Sequence, residues 1–244
     1  TKLRNMRTKT LLLSAAVGVA GLVAASAQTV YSVNSVGYVN TTLPAGFSIM
    51  ANPLDTADNT VGALLPTGSL PNFSTISKWN DAGAGNNTVS ALMDPAAFTE
   101  GTTIYKFNPA TQQYVPNTLD FGAWTQPDMT MEPGEGVFIN VLATPASVTF
   151  VGEVKQGALT QNVPQGFSVQ ASQVPQSGQL DTELNFPVGE DDVVYMFNNA
   201  AGQYTIHVFS FGAWDNVPVP KVGESFFVNK LVAADWDRDF SVNN

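Results

Sequence analysis

Short runs of alternating apolar and polar residues fill most of the chain, and turn residues separate them. Residues 28–40 read as extended, with Val30, Val33, Val36 and Val39 set among Tyr31 and Tyr38. Pro44-Ala45-Gly46 reads as a turn, and 47–51 as a strand ending at Asn52-Pro53. Residues 102–108 and 112–115 flank the turn sequence Asn108-Pro109-Ala110-Thr111 and predict a hairpin. Residues 193–197 and 204–208 do the same around Asn198-Asn199-Ala200-Ala201-Gly202. Further strands are expected over 136–142, 147–154 and 225–231. Helical patterning is confined to single turns: 61–65, between Asn59 as N-cap and Pro66, and 180–186, before Pro187.

The same pattern occurs twice. Phe121-Gly122-Ala123-Trp124 returns letter for letter as Phe211-Gly212-Ala213-Trp214, with Tyr105 and Tyr195 matched upstream. Gly134-Glu135 answers Gly223-Glu224, and Gly46-Phe47-Ser48 answers Gly166-Phe167-Ser168. The reading is an all-β protein of two tandem sandwich- or barrel-like modules, with at most short helical turns. Module one spans 28–150 and module two 151–244. Module one carries extra chain between 54 and 101, read as a loop its core does not need. Val151-Gly152-Glu153-Val154 resembles Val36-Gly37-Tyr38-Val39, and Phe150 aligns with Phe240. Residues 147–154 are therefore expected to close the first module and open the second. No flexible linker intervenes, so the modules are expected to pack rigidly end to end.

Composition narrows the setting. Residues 1–27 place Lys2, Arg4, Arg7 and Lys9 before an apolar run that ends in Ala25-Ser26-Ala27. That is the form of a secretory signal with its cleavage site. The run is broken by Ser14, Gly18 and Gly21, which argues against a membrane anchor. The formal charge is −10; without residues 1–27, six basic side chains face twenty acidic ones, giving −14. Nucleic acid and anionic membrane both need a basic face, so neither is an expected partner. There is no cysteine and a single histidine, His207, which excludes thiolate chemistry and multi-imidazole sites.

The candidate sites are few. Trp124 and Trp214 could stack on sugar rings or anchor a turn, and the second role is the default for a repeated aromatic. Trp79, in the extra segment beside a Gly/Asn-rich turn, and Trp236 are further ligand candidates. Asp235, Asp237 and Asp239 alternate, so on a strand they share one face, a candidate for calcium against the default of a solvated surface. Glu135 and Glu224 are the one pair suggesting glycoside hydrolysis, but they occupy one position in two copies, which favours a turn role. No other cofactor is implied.

The order Gly46-Phe47-Ser48-Ile49-Met50-Ala51-Asn52-Pro53, Ile104-Tyr105-Lys106-Phe107-Asn108 and Glu132-Pro133-Gly134-Glu135-Gly136-Val137-Phe138-Ile139 resembles a β module of bacterial cell-surface proteins. That module reads Gly-Trp-Asn-Leu, Asn-Pro, then Pro-Gly-x-Gly-Phe-Phe. The opening Tyr31-Ser32-Val33-Asn34-Ser35-Val36-Gly37-Tyr38-Val39 is similar to uncharacterised exported β-repeat proteins of the Verrucomicrobia/Planctomycetes type. Phe47 and Phe167 stand where that module has Trp, and the second copy lacks Asn-Pro. The resemblance implies surface display, adhesion or a matrix role and carries over no catalytic residue. The expected function is an exported, non-catalytic structural or adhesive protein. The alternatives are a polysaccharide-binding module using exposed Trp residues and, third, a glycoside hydrolase. Unpaired terminal strands would allow self-association.

Overall fold

The computed structural model describes residues 35–55 and 87–242. The expected signal segment, residues 28–34, the helical turn expected at 61–65 and Trp79 lie outside the described residues. Module one contains β1 (Val36–Leu43), β2 (Gly46–Ala51), the one-turn helix α1 (Val89–Leu92), a 3-10 turn (Pro95–Ala97), β3 (Thr103–Asn108), β4 (Gln113–Asp120), β5 (Ala123–Trp124), β6 (Gly136–Val141) and β7 (Ala146–Glu153). Module two repeats the strands as β8 (Gly157–Val163), β9 (Gly166–Ala171), β10 (Val193–Asn198), β11 (Gln203–Ser210), β12 (Ala213–Trp214), β13 (Ser225–Lys230) and β14 (Ala234–Phe240). Each module is sandwich-like. A five-stranded antiparallel sheet, ordered β2-β6-β3-β4-β5 or β9-β13-β10-β11-β12, is covered by a two-stranded ribbon, β1-β7 or β8-β14. No helix among the described residues is long and apolar enough to cross a membrane.

The two copies match strand for strand, so the duplication read from the sequence is a duplication of structure. The strand expected to serve both modules serves only one. β7 pairs along its length with β1, and module two opens with its own strand, β8, which pairs with β14. The likeness between the segments at 36–39 and 151–154 has a different cause. Gly37 and Gly152 face each other across the ribbon. A Cβ on Gly37 would lie 2.4 Å from Leu54, and one on Gly152 would lie 2.6 Å from the Asp55 carbonyl. Both glycines make room for the chain leaving β2. The ribbon registers also correct one alignment. Leu43 faces Ala146 and Val163 faces Ala234, so Phe150 corresponds to Arg238 rather than Phe240.

Each sheet buries one face under its own ribbon. In module one Met50, Ile104, Val137, Ile139, Val148 and Phe150 form that core. Val89, Leu92 and Met93 complete it, all buried, so the end of the extra segment is core rather than dispensable loop. Module two lacks α1, and Leu180, Leu184 and Phe186 fill the equivalent space. The expected helical turn at 180–186 is there a set of hydrogen-bonded turns, such as Phe186 N to Leu180 O at 2.9 Å.

The modules do not meet end to end. The other face of each sheet packs against the other module through Ile49, Phe138, Phe197 and Phe227, with Tyr105, Phe107, Val169 and Tyr195 around them. This explains why β6 and β13 are buried along almost their whole length, since both of their faces are covered. The contacts are reciprocal, as an approximate two-fold axis requires. Phe107 meets Phe227 at 5.3 Å, and their counterparts Phe197 and Phe138 meet at 5.6 Å. Ala51 N donates to Gly223 O, and Ala171 N donates to Gly134 O, each at 2.9 Å.

Candidate functional site: an aromatic cleft between the modules

The period-2 alternation of β2 and β3 sends Phe47 and Tyr105 to the inter-module face, while Ser48 and Ile104 turn toward the module core. Tyr114 on β4 joins them from the same module. Phe138, Phe197 and Tyr204 line the other walls of the same cleft. The cleft holds about 690 Å³, within the usual range for a small-molecule site. Its rim is the turn after β10, residues 199–202, facing Ala45, Gly46 and Phe47. Phe47 is 50% exposed, and Tyr114 and Tyr204 are each 45% exposed, so their ring faces are available.

The rings are arranged edge to face. Tyr105 lies 6.3 Å from Tyr114, and Phe197 lies 5.0 Å from Tyr204, with interplanar angles of 83° and 63°. No lining residue is charged at neutral pH. Burial, and secondarily the approach of Tyr204, pushes the Tyr114 phenol up to about 12, and burial raises Tyr204. Both therefore remain neutral hydroxyls, able to donate and accept. The cleft combines stacking faces with neutral hydrogen-bonding groups and offers no charged side chain to a ligand.

One glycine keeps the rim open. Gly202 has φ +64, and a Cβ built there meets nothing within 4 Å. The turn itself is fixed. Asn198 Oδ1 accepts from Ala200 N and Ala201 N, while Asn199 exchanges hydrogen bonds with the Ile49 main chain.

The residues singled out by sequence fall elsewhere. Trp124 is buried, and its Nε1 donates to Met93 O at 2.7 Å. Trp236 is buried too, donates to Leu184 O at 2.7 Å, and packs on Phe186. Trp214 is half-buried against Phe209, and its buried Nε1 has no partner among the described residues, where module two has no counterpart of the Met93 segment. None of these three lines the cleft. Trp79 lies outside the described residues. Asp235, Asp237 and Asp239 share the exposed face of β14, where Asp237 accepts from Thr160 Oγ1 at 2.7 Å and Asp235 from Asn162 Nδ2 at 3.4 Å. Among the described residues no group of three or more His, Asp or Glu side chains is placed to hold a metal ion. Glu135 and Glu224 perform the same turn closure, accepting from Glu132 N and Lys221 N. His207 is buried, with Nδ1 2.6 Å from Asn216 O. The terminal strands β1 and β14 are paired within the chain.

The tryptophans are conspicuous in the sequence, but the cleft is lined instead by Phe47, Tyr105, Tyr114 and Tyr204. The available signal was a difference within the repeat: the equivalent turns differ at Pro109/Asn199, Thr111/Ala201 and Gln112/Gly202. No family model, no curated protein and no solved structure matches the chain.

Proposed function

We propose that this chain is an exported, non-catalytic adhesive protein that binds neutral glycans in the cleft at Phe47. The uncharged aromatic lining of that cleft carries the reading. A pyranose ring presents an apolar face that stacks on Phe or Tyr, and hydroxyls that pair with phenols and with the backbone of a turn. Nucleobases also stack on aromatic rings, but their phosphates need cations, and the cleft supplies none. The formal charge of −10 weighs the same way against acidic polymers. The basic-then-apolar segment ending at Ala27 supports export, and the likeness to bacterial surface modules supports display or a matrix role.

Affinity electrophoresis through gels containing β-glucan, xylan or mannan tests the proposal. The wild type is expected to be retarded by a neutral polysaccharide, with Phe47→Ala and Tyr105→Ala each weakening binding at least about tenfold, equivalent to about 1.4 kcal/mol. Retardation by anionic polysaccharide alone, or binding untouched by Phe47→Ala, would overturn it.

A further inference from the structure

The two-fold relation between the modules implies a second set of cleft walls, and they are present. Phe167 and Tyr195 stand 6.1 Å apart at 39°, where Phe47 and Tyr105 stand 6.2 Å apart at 37°. Tyr195 meets Tyr204 at 6.3 Å and 85°, matching Tyr105 and Tyr114 at 6.3 Å and 83°. Phe107 meets Tyr114 at 5.2 Å, as Phe197 meets Tyr204 at 5.0 Å. The rims differ. In module one the turn at 108–112 is capped by Asn108 as its twin is by Asn198. At the position of Gly202 it carries Gln112, which holds the left-handed φ of +54. Gln112 Nε2 reaches across to Phe167 O at 3.0 Å and also donates to Pro109 O at 2.6 Å. It bridges turn and β9 from a position where Gly202 reaches nothing on β2; the turn after β10 is tied to β2 earlier in the turn, through Asn199 and Ile49, where module one has Pro109. A Cβ on Gly166 would sit 3.8 Å from Gln112 Nε2, whereas one on Gly46 would meet nothing.

We infer that the molecule contains a second, latched copy of the neutral-glycan cleft, with Gln112 as the latch, and that the residues at 112 and 202 set how many sites are open. The ligand class rests on the proposal above; the latch rests on the geometry alone. Stability does not require the glutamine at this backbone angle, since glycine adopts a positive φ without steric cost. The duplication thus yields one open and one shut cleft from nearly identical walls.

Two measurements on the full chain separate the latch from the ligand. Hydroxyl-radical footprinting reads ring accessibility directly. Phe167 is 39% exposed against 50% for Phe47, and oxidation of Phe167 and Tyr195 is expected to rise in Gln112→Gly until it matches Phe47 and Tyr105. An unchanged footprint in a variant that unfolds like the wild type overturns the latch, whatever the wild type binds. Calorimetric titration with neutral hexasaccharides of β-glucan, xylan and mannan then counts sites. One site per chain is expected in the wild type, two in Gln112→Gly and none in Gly202→Gln. In the double exchange one site is expected, weakened by Phe167→Ala and not by Phe47→Ala. A single site in Gln112→Gly despite an opened footprint rejects the second cleft as a glycan site. No binding by the wild type with an opened footprint rejects the ligand class and keeps the latch.

Discussion

Two phenylalanines are displayed where no packing rewards them. Phe121 and Phe211 are 96% and 99% exposed, and both hold positive φ, at +50 and +54, in two-residue hairpin loops closed by Gly122 and Gly212. Such loops favour Asn-Gly, and a bulky residue in the left-handed region costs about 1–2 kcal/mol. The loops are held from outside: Gly122 N donates to Glu100 Oε1 at 2.6 Å, and Gly212 N to Glu190 Oε2 at 3.2 Å. Phe121→Asn and Phe211→Asn are each expected to raise unfolding stability by about 1 kcal/mol in urea titrations. A loss of stability would show that the rings contribute packing. The tyrosines give a pH test. The folded protein holds the Tyr114 proton to about 12, whereas an unfolded phenol releases it near 10. The unfolded chain therefore binds fewer protons in that window, so stability is full below pH 10 and falls as pH climbs toward 12. Tyr114→Phe is expected to flatten the decline of melting temperature between pH 10 and 12, and an equally steep decline would contradict the burial of that phenol. At this scale the sequence misleads through its tryptophans. An indole repeated in both copies is conspicuous, but Trp124 serves the module core, whereas the cleft depends on rings whose facing partners lie in the other module.

Between equivalent elements, the two modules solve one burial problem in different ways. In module two Lys230 of β13 and Asp192 before β10 form a buried ion pair at 2.5 Å, and Asp192 Oδ1 also accepts from Leu231 N at 3.0 Å. Module one has Val141 and Thr102 at those positions, with Leu142 N donating to Thr102 Oγ1 at 3.4 Å. Lys230→Ala leaves a buried carboxylate alone and is expected to cost about 3–5 kcal/mol. Lys230→Val with Asp192→Thr copies the module-one solution and is expected to recover most of that loss. Denaturant midpoints decide, and a double variant no more stable than the single one would contradict the equivalence. The strands were largely legible because alternation and turn residues act locally: β2, β3, β6, β10 and β13 fall where the pattern places them. β8 was missed because its exposed polar residues, Thr160 and Asn162, dilute the apolar signal of a ribbon that covers only one side. The core role of Val89, Leu92 and Met93 was missed because four helical residues carry no period of their own.

For the whole molecule, the duplication was legible and the packing was not. A repeat shows that two modules exist, whereas the outward faces of β6 and β13 reveal only that something covers them. That cover is the other module, through Phe138, Phe227, Phe107 and Phe197. With so much aromatic surface shared, the modules are expected to unfold in one transition, and Phe138→Ala to cost about 3–5 kcal/mol. Two separated transitions in the wild type, followed by tryptophan fluorescence and calorimetry, would contradict that coupling. The same interface creates the cleft, since Phe47, Tyr105 and Tyr114 come from one module and Phe197 and Tyr204 from the other. The most direct test is a backbone and aromatic NMR titration of the full chain with neutral β-glucan, xylan and mannan hexasaccharides. Shift changes confined to Phe47, Tyr105, Tyr114, Tyr204 and the Asn199 to Gly202 turn, with Phe167 and Tyr195 silent, are the predicted result. Changes centred on the exposed face of β14, or none with any of the three sugars, would contradict it.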